Sequence, residues 1–435
     1  MLATLAGCGG GSGDGNGTTY TIGGTVMGLG QGGTVSVLLG TESLSLSSNG
    51  AFTFPSPVTD LTQYAVTVGT TMPTGQTCGV FNGSGAVAEA NVTNVGVYCT
   101  DDVSAASLDG TYEIESLNVN TDTDQLYTAV PFDGSGTQGS STVTANQAGT
   151  TFTTSTDNGG VYTVTTAEAL PAFTVGTNNA GGIAGADGDE FYWVANDVNG
   201  GAPPALFLGV KPLQTATLSA LAGNWIIVGL TQAATPSDSE GSVAIAADGS
   251  FNGSESTLDF TGAATTQTVS GAAGSYAVTN NVVSIGGQSG YISANGDFAV
   301  LTAVTQQPGG ASANNPGIAA AVKQGSGITP AILSGVYSIA ILGFETASTG
   351  NGGTLTLYFD GVGDFGGTAT QNDDGTYSSG SVSGTYTVTS NGVLTLTDTA
   401  GDVFTGGVSA DGNAVVAAYL TASAATPEIL VGFKQ

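Results

Sequence analysis

Apolar positions in this chain come in short runs, many alternating with polar ones, and glycine or Asn/Asp pairs divide the runs. A period of two between turn residues predicts short β-strands. No apolar pattern of period 3.6 is long enough to predict a helix. One stretch recurs three times: LDGTYEIESL at Leu108–Leu117, LAGNWIIVGL at Leu221–Leu230 and LSGVYSIAIL at Leu333–Leu342. Leu221 follows Leu108 by 113 residues and Leu333 follows Leu221 by 112, which marks a tandem array of one unit. Each unit closes on an apolar run ending in lysine, LFLGVK at Lys211, GIAAAVK at Lys323 and ILVGFK at Lys434. In the third unit eight runs are split by turns such as Asp360-Gly361, Asp374-Gly375, Asn391-Gly392 and Asp411-Gly412. A second motif, GVYTV at 160–164, GSYAV at 274–278 and GTYTV at 384–388, falls at the matching place in each. Consecutive hairpins without a long crossover describe a meander, and eight strands can close on themselves and lose their edges. Each unit, 107–212, 218–324 and 331–435, therefore reads as an eight-stranded up-and-down β-barrel.

Ahead of the repeats, residues 18–100 hold about seven short runs, with Asn49-Gly50 between LSLSS and AFTF as a hairpin signal. That count over some eighty residues suits an immunoglobulin-like sandwich. The expected fold class is all-β: an immunoglobulin-like sandwich followed by three tandem eight-stranded up-and-down β-barrel-like domains.

Composition removes several functions. Of 435 residues only 8% are charged, the net charge is −30, and histidine is absent. The three lysines that close the repeats are the only basic side chains. Such a surface cannot replace phosphate counterions, so nucleic acid is excluded, as is electrostatic adhesion to anionic lipid. It suits a soluble exported protein that resists aggregation. Weak divalent-cation binding by scattered carboxylates is the functional alternative, but no D-x-D-x-D-G loop ending in Glu is present. Without histidine there is no Ser-His-Asp or Cys-His arrangement and no ordinary zinc site. No carboxylate pair stands out for glycoside hydrolysis. The expectation is no enzyme, no cofactor and no metal.

Leu5-Ala6-Gly7-Cys8 resembles the lipobox of bacterial lipoproteins, in which the cysteine is lipidated and becomes the new N-terminus. The resemblance assigns 1–8 to a residual lipoprotein signal, with the rest of the signal expected upstream of Met1, and 9–17 to a glycine-rich tether. It implies a lipid anchor in the bacterial outer membrane, with surface exposure as one arrangement. With Cys8 committed to lipid, Cys78 and Cys99 remain to pair in an oxidising compartment. Residues 18–100 resemble a module of bacterial surface proteins that carries no catalytic residue.

The opening Gly-x-aromatic and closing lysine resemble the signature of lipocalins and related calycin barrels. There the Gly-x-Trp of the first strand packs beneath a basic side chain from the last. Gly223, Trp225 and Lys323 match this pattern. Gly110, Tyr112 and Lys211, and Gly335, Tyr337 and Lys434, match it with Tyr in place of Trp. The resemblance implies aromatic–lysine pairs that close each barrel. An intramolecular isopeptide bond from a lysine is the sharper alternative. The functional expectation is a cell-surface scaffold or adhesive protein meeting a surface glycan or protein partner, with Tyr192 and Trp193 as exposed aromatics able to stack on sugars. The second expectation is an envelope binding protein holding a small apolar or glycan ligand in its barrels. Oligomeric state stays open.

Overall fold

The computed structural model describes residues 18–435 apart from 103, 120–122, 148–150, 168–169, 176–179, 185–187, 196–203, 234, 260, 262, 273–274, 286–287, 303–314, 347–348, 374–375 and 420–425. Cys8 and the tether therefore lie outside the described residues, as do the Asp374-Gly375 turn, Gly274 and Asp187. The chain divides into two compact units, one reaching to Cys99 and one running from Thr100 to Gln435, with Gly75–Thr77 grouped with the second. Helix among the described residues is confined to three single turns, Ala105–Ser107, Leu218–Leu221 and Pro330–Leu333, each just ahead of a repeat's opening strand. The protein is all-β.

The first unit is a two-sheet sandwich. One four-stranded sheet runs Gly50–Thr53, Ile22–Met27, Val92–Asp101, Gln76–Phe81, and the other Glu42–Leu46, Val35–Leu39, Gln63–Val68, Ser84–Ala86. Alternate residues of both, among them Ile22, Val26, Val37, Phe52, Val66 and Val97, meet in one core. Cys78 and Cys99 form a disulfide with Cα atoms 4.0 Å apart. Their strands are neighbours in one sheet, so the bridge staples a sheet edge, whereas the bridge of antibody domains joins two sheets. Such a bridge contributes about 2–4 kcal/mol. The hairpin expected at Asn49-Gly50 is not formed, because Glu42–Leu46 and Gly50–Thr53 belong to different sheets. Asn49 instead turns the chain from one sheet to the other, and its side-chain amide exchanges two hydrogen bonds of 2.9 Å with the backbone of Leu29.

In the third repeat the eight strands from Gly335–Thr346 to Glu428–Lys434 form a closed barrel. The strand Thr376–Val388 runs unbroken for 13 residues, its first part pairing back to Asp364–Asp373 and its end pairing on to Val393–Asp398. In the second repeat the matching stretch is split into Ala264–Gly271 and Tyr276–Thr279 around a Gly-Ala-Ala-Gly sequence, and these two strands form the outer edges of a nine-stranded sheet. In the first it is split at Asn158-Gly159, between Thr151–Asp157 and Gly160–Ala167. Gly380 and Gly384 are carried inside the unbroken strand, so glycine alone does not split it; closure by one continuous ladder is found where that strand is continuous.

The three repeats do not stand in series. In the third repeat Tyr337, Ile339 and Ile341 point into the barrel, while Ala340, Leu342 and Phe344 on the same strand point outward into a second cluster. In the second repeat Trp225 points inward, and Ile226, Val228 and Leu230 join that outer cluster. Leu117 and Val119 join it from the first. The closing strands contribute in the same way through Leu206 and Leu208, Ile318 and Val322, and Ile429 and Phe433. The opening and closing strands are thus buried on both faces, which is why most of them read as nearly continuous apolar runs; the opening strand of the first repeat departs from this with Glu113 and Glu115. The contacts follow a ring. The opening strand of the first repeat, Asp109–Asn118, packs on the last two strands of the second. That of the second, Gly223–Thr231, packs on the late strands of the third, and that of the third on Glu190–Ala195 and Ala205–Val210 of the first.

A shared core makes the repeats unfold together. Leu342→Ala in the third repeat is expected to cost about 2–5 kcal/mol. The only tryptophans, Trp193 and Trp225, lie in the first and second repeats. Their fluorescence should therefore report the full loss of stability, and an unshifted tryptophan melt would mean the repeats unfold independently.

Candidate functional site

Each repeat carries the same latch at one end. The lysine Nζ lies 5.4 Å from the ring centroid in Lys211–Tyr112, 5.6 Å in Lys323–Trp225 and 5.9 Å in Lys434–Tyr337. These pairs sit where the first and last strands meet, with Trp225 opposite Lys323 and Tyr337 opposite Lys434 in register. The lysine stem crosses the glycine two residues before the ring. Gly110, Gly223 and Gly335 hold φ of 123°, 139° and 130°, and a Cβ there would come within 3.3, 2.8 and 3.1 Å of the lysine Cε. The backbone at these φ values favours glycine, and at Gly223 a Cβ would also push the lysine stem aside. Lys323 donates to the carbonyl of Ala220 at 2.9 Å, and the Lys211 ammonium lies 3.7 Å from Asp189. Burial holds Lys323 and Lys434 below the usual lysine range.

The rings plug the barrel end. The Tyr112 hydroxyl donates to the carbonyl of Gly188 and that of Tyr337 to Gly412, each in the turn before the next-to-last strand of its repeat. Trp225 donates instead to the carbonyl of Leu221 at 2.8 Å. The G-x-Tyr motif completes the plug. Tyr162 donates to the carbonyl of Leu108 at 2.9 Å and Tyr386 to that of Pro330 at 3.1 Å, tying the first and third repeats to the helical turns ahead of them. Edge-on ring contacts of 5.1–5.4 Å link Tyr112 to Phe132 and Phe359 to both Tyr337 and Tyr386.

The opposite end of the third barrel is hollow. A cavity of about 440 Å³ has a floor of Ile341, Leu355, Leu357, Phe365, Leu396 and Leu430, with Phe404 and Ala369 on its walls. Ser378–Ser381, Asp398, Asp402 and Glu428 line it toward the polar side. Asp402 accepts from the Tyr419 hydroxyl at 2.8 Å, and Asp398 from the N–H groups of Ala400 and Asp402.

The sequence pattern concealed a set of buried acids at the seams between repeats. Glu113 and Glu115 stand where the second repeat has Ile226 and Val228 and the third has Ser338 and Ala340. Glu115 is fully buried and neither carboxylate oxygen has a hydrogen-bond partner. Asp124, paired with Leu117, accepts from the Thr302 hydroxyl at 2.8 Å and the Gly317 N–H at 3.4 Å of the second repeat. Asp238, paired with Leu230, accepts from the Glu428 N–H of the third at 3.0 Å. At that position the third repeat has Gly352, opposite Leu342. Its seam with the first carries a 2.5 Å bond between the hydroxyls of Tyr192 and Ser338. Desolvation pushes Asp124 up to about 6, Glu113 to about 7 and Asp238 to about 8, and lifts Glu115 well above the carboxylate range. Exposed turn acids behave oppositely. Backbone N–H groups hold Asp133, and hydroxyl and backbone donors hold Asp248 and Asp259, below the usual range.

Tyr192 is fully buried in the central cluster, so it presents no face to a sugar, and Trp193 stacks on Phe207 at 4.7 Å. Strand alternation turns Tyr192 toward the neighbouring repeats and Trp193 toward the first repeat's own core. No group of three or more His, Cys, Asp or Glu is placed to hold a metal ion among the described residues.

The geometry defines an all-β protein with a latched barrel and two barrel-like sheets around one core. No protein-family model and no curated protein matches the chain. Among solved structures it is similar to the isotype 1 transferrin binding protein B of serogroup B Neisseria meningitidis, at 11% identity and a TM-score of 0.25. That match covers 72% of this chain and 66% of the neisserial one, just under two thirds of its length. It is also similar to a protein of unknown function from the DUF3598 family of Nostoc punctiforme, at 7% identity and a TM-score of 0.17, covering 77% and 100% of the two chains. Likenesses at this level carry no argument about function.

Two outcomes test the latch and the seams. Lys323→Ala should cost about 1–2 kcal/mol, and Lys323→Met should recover the share owed to the stem. Gly223→Ala should cost about 1–3 kcal/mol through its strained backbone. Urea midpoints read on tryptophan fluorescence measure all three. For the seam acids the sign is set by folded values above the unfolded ones near 4. Their contribution is full below pH ~4 and is lost as pH rises through about 6, 7 and 8 for Asp124, Glu113 and Asp238. Melting temperature should fall from pH 5 to pH 8.5 and fall less steeply in Asp238→Asn. An identical slope in that variant would show Asp238 already ionised at neutral pH.

Proposed function

We propose that this chain is a non-catalytic envelope lipoprotein, held to the bacterial outer membrane by a lipid on Cys8, whose third barrel takes up a small, mainly apolar ligand. The observation that carries the reading is the cavity of about 440 Å³ above the Tyr337 plug, floored by aliphatic and aromatic side chains. Sites for small molecules have this form, a concave apolar surface with a few polar groups at one side. Asp398, Asp402 and Glu428 line the same cavity. In a chain of net charge −30 they disfavour an anionic head group, so the ligand is uncharged or cationic at its polar end.

The resemblance of the Gly-x-aromatic and lysine pattern to calycin barrels supports a binding role, and that of residues 18–100 to surface-protein modules supports a spacer role for the sandwich. A second reading, a surface scaffold or adhesive protein, is supported by the shared core, because it holds the loops of three repeats in fixed relation for a glycan or protein partner.

Native mass spectrometry on the chain from Gly9 onward, purified from its own host's envelope, separates the two. The binding reading expects an apolar adduct that is lost on denaturation and absent from Ala369→Trp, which fills the cavity. A bare mass for the wild-type chain would overturn it and leave the scaffold.

A further inference from the structure

The seam between the first and second repeats encloses a second hollow, a cleft of about 690 Å³ that no barrel interior contributes to. Its character differs from that of the barrel cavity. Glu113 and Thr128 of the first repeat face Asn280, Ser289 and Tyr291 of the second, and no lysine lines it. The far wall is fixed. Asn280 and Asn281 turn the chain with φ of 54° and 67°, and the Asn281 amide is locked by the N–H of Ala216 at 3.1 Å and the carbonyl of Gln214 at 3.0 Å.

Glu113 is 7% exposed, and its carboxylate accepts from the N–H of Ala129 at 3.1 Å and from the Tyr291 hydroxyl. A carboxylate has about four acceptor positions, so these two donors leave capacity for more. Glu115 behind it lies close enough to feel the charges of both Glu113 and Asp124. The Thr128 hydroxyl oxygen is buried and has no hydrogen-bond partner. Burial pushes Glu113 up to about 7, because its ionised form has no countercharge in a desolvated seam, and a bound cation would favour that form. Hydroxyls and amides stand beside Leu126, Pro212 and Val282 on the cleft's walls, a mixed lining that suits a guest with both polar groups and carbon faces, and the negative potential rejects an anion.

We propose that this cleft binds a small hydroxylated organic cation of the amino-sugar kind, with its ammonium group on Glu113 and its hydroxyls on Thr128, Asn280 and Ser289. The ligand supplies the charge that Glu113 lacks and the donor that Thr128 lacks. The site is independent of the barrel cavity, so an empty barrel leaves it standing.

Isothermal titration of the full chain with glucosamine, and with glucose as its neutral match, tests the assignment. Glucosamine should bind at least tenfold more tightly than glucose. Glu113→Gln should weaken it at least tenfold, and Thr128→Val should weaken it without touching the charge. Glu89→Gln, an exposed acid of the first unit, should leave it unchanged. Absence of binding, equal affinity for glucose, or unaltered affinity in both Glu113→Gln and Thr128→Val would overturn the proposal.

Discussion

The structure depends on strands that are apolar on both faces. In an isolated barrel the first and last strands need cover only from the interior, and their outer faces would meet water. Here Ile226, Val228 and Leu230, with Leu342 and Phe344 and with Leu117 and Val119, make that outer face hydrophobic in all three repeats. No repeat can bury this face alone. Three of them, each laying its opening strand on the late strands of the next, bury it mutually and close the ring. Large hydrophobic interfaces suppress relative motion of the parts they join, so the repeats form one body rather than a flexible string.

The same arrangement explains where the charges are placed. Every cation is spent on a latch, with its stem over a glycine and its ammonium beside a ring. Many aspartates accept backbone N–H groups in turns, as Asp360 does from Val362, Gly363 and Asp364. A smaller set of acids sits at the seams, where two of three equivalent positions hold a buried aspartate and the third holds glycine. A repeat that has drifted in sequence meets different neighbours on its two sides, so its seams need not be chemically alike. The first repeat shows the consequence, with glutamates where its siblings carry mostly apolar residues. The plug likewise polarises the third barrel: aromatic rings and a helical turn fill one end, and the other keeps its cavity.

Much of this was legible beforehand because it is local. Period-two alternation, the 113- and 112-residue spacing and the Gly-x-aromatic and lysine pattern are carried by residues near one another in sequence or by the repeat itself. They determined the all-β class, the number of repeats and the pairing of first strand with last. Asn49-Gly50 misled because a turn between adjacent runs looks the same whether the runs pair or part into two sheets. Likewise, Tyr192 and Trp193 read as exposed aromatics, and nothing local tells that a neighbouring repeat covers Tyr192 while Trp193 packs on its own repeat's core.

What only the tertiary structure decided are the contacts between repeats. Asp124 meets Thr302 across 178 residues and Asp238 meets Glu428 across 190, and no motif links such positions. Closure of the third barrel against the open edges of the second turned on whether one strand stayed continuous, which a Gly-Ala-Ala-Gly sequence hints at but packing must resolve. The sequence by itself determined the strand character of the elements and the meeting of first and last strand in each repeat, because those follow from alternation and from the repeated motif. The shared core, the buried acids and the two hollows arise from how finished elements cover one another, which no single repeat encodes.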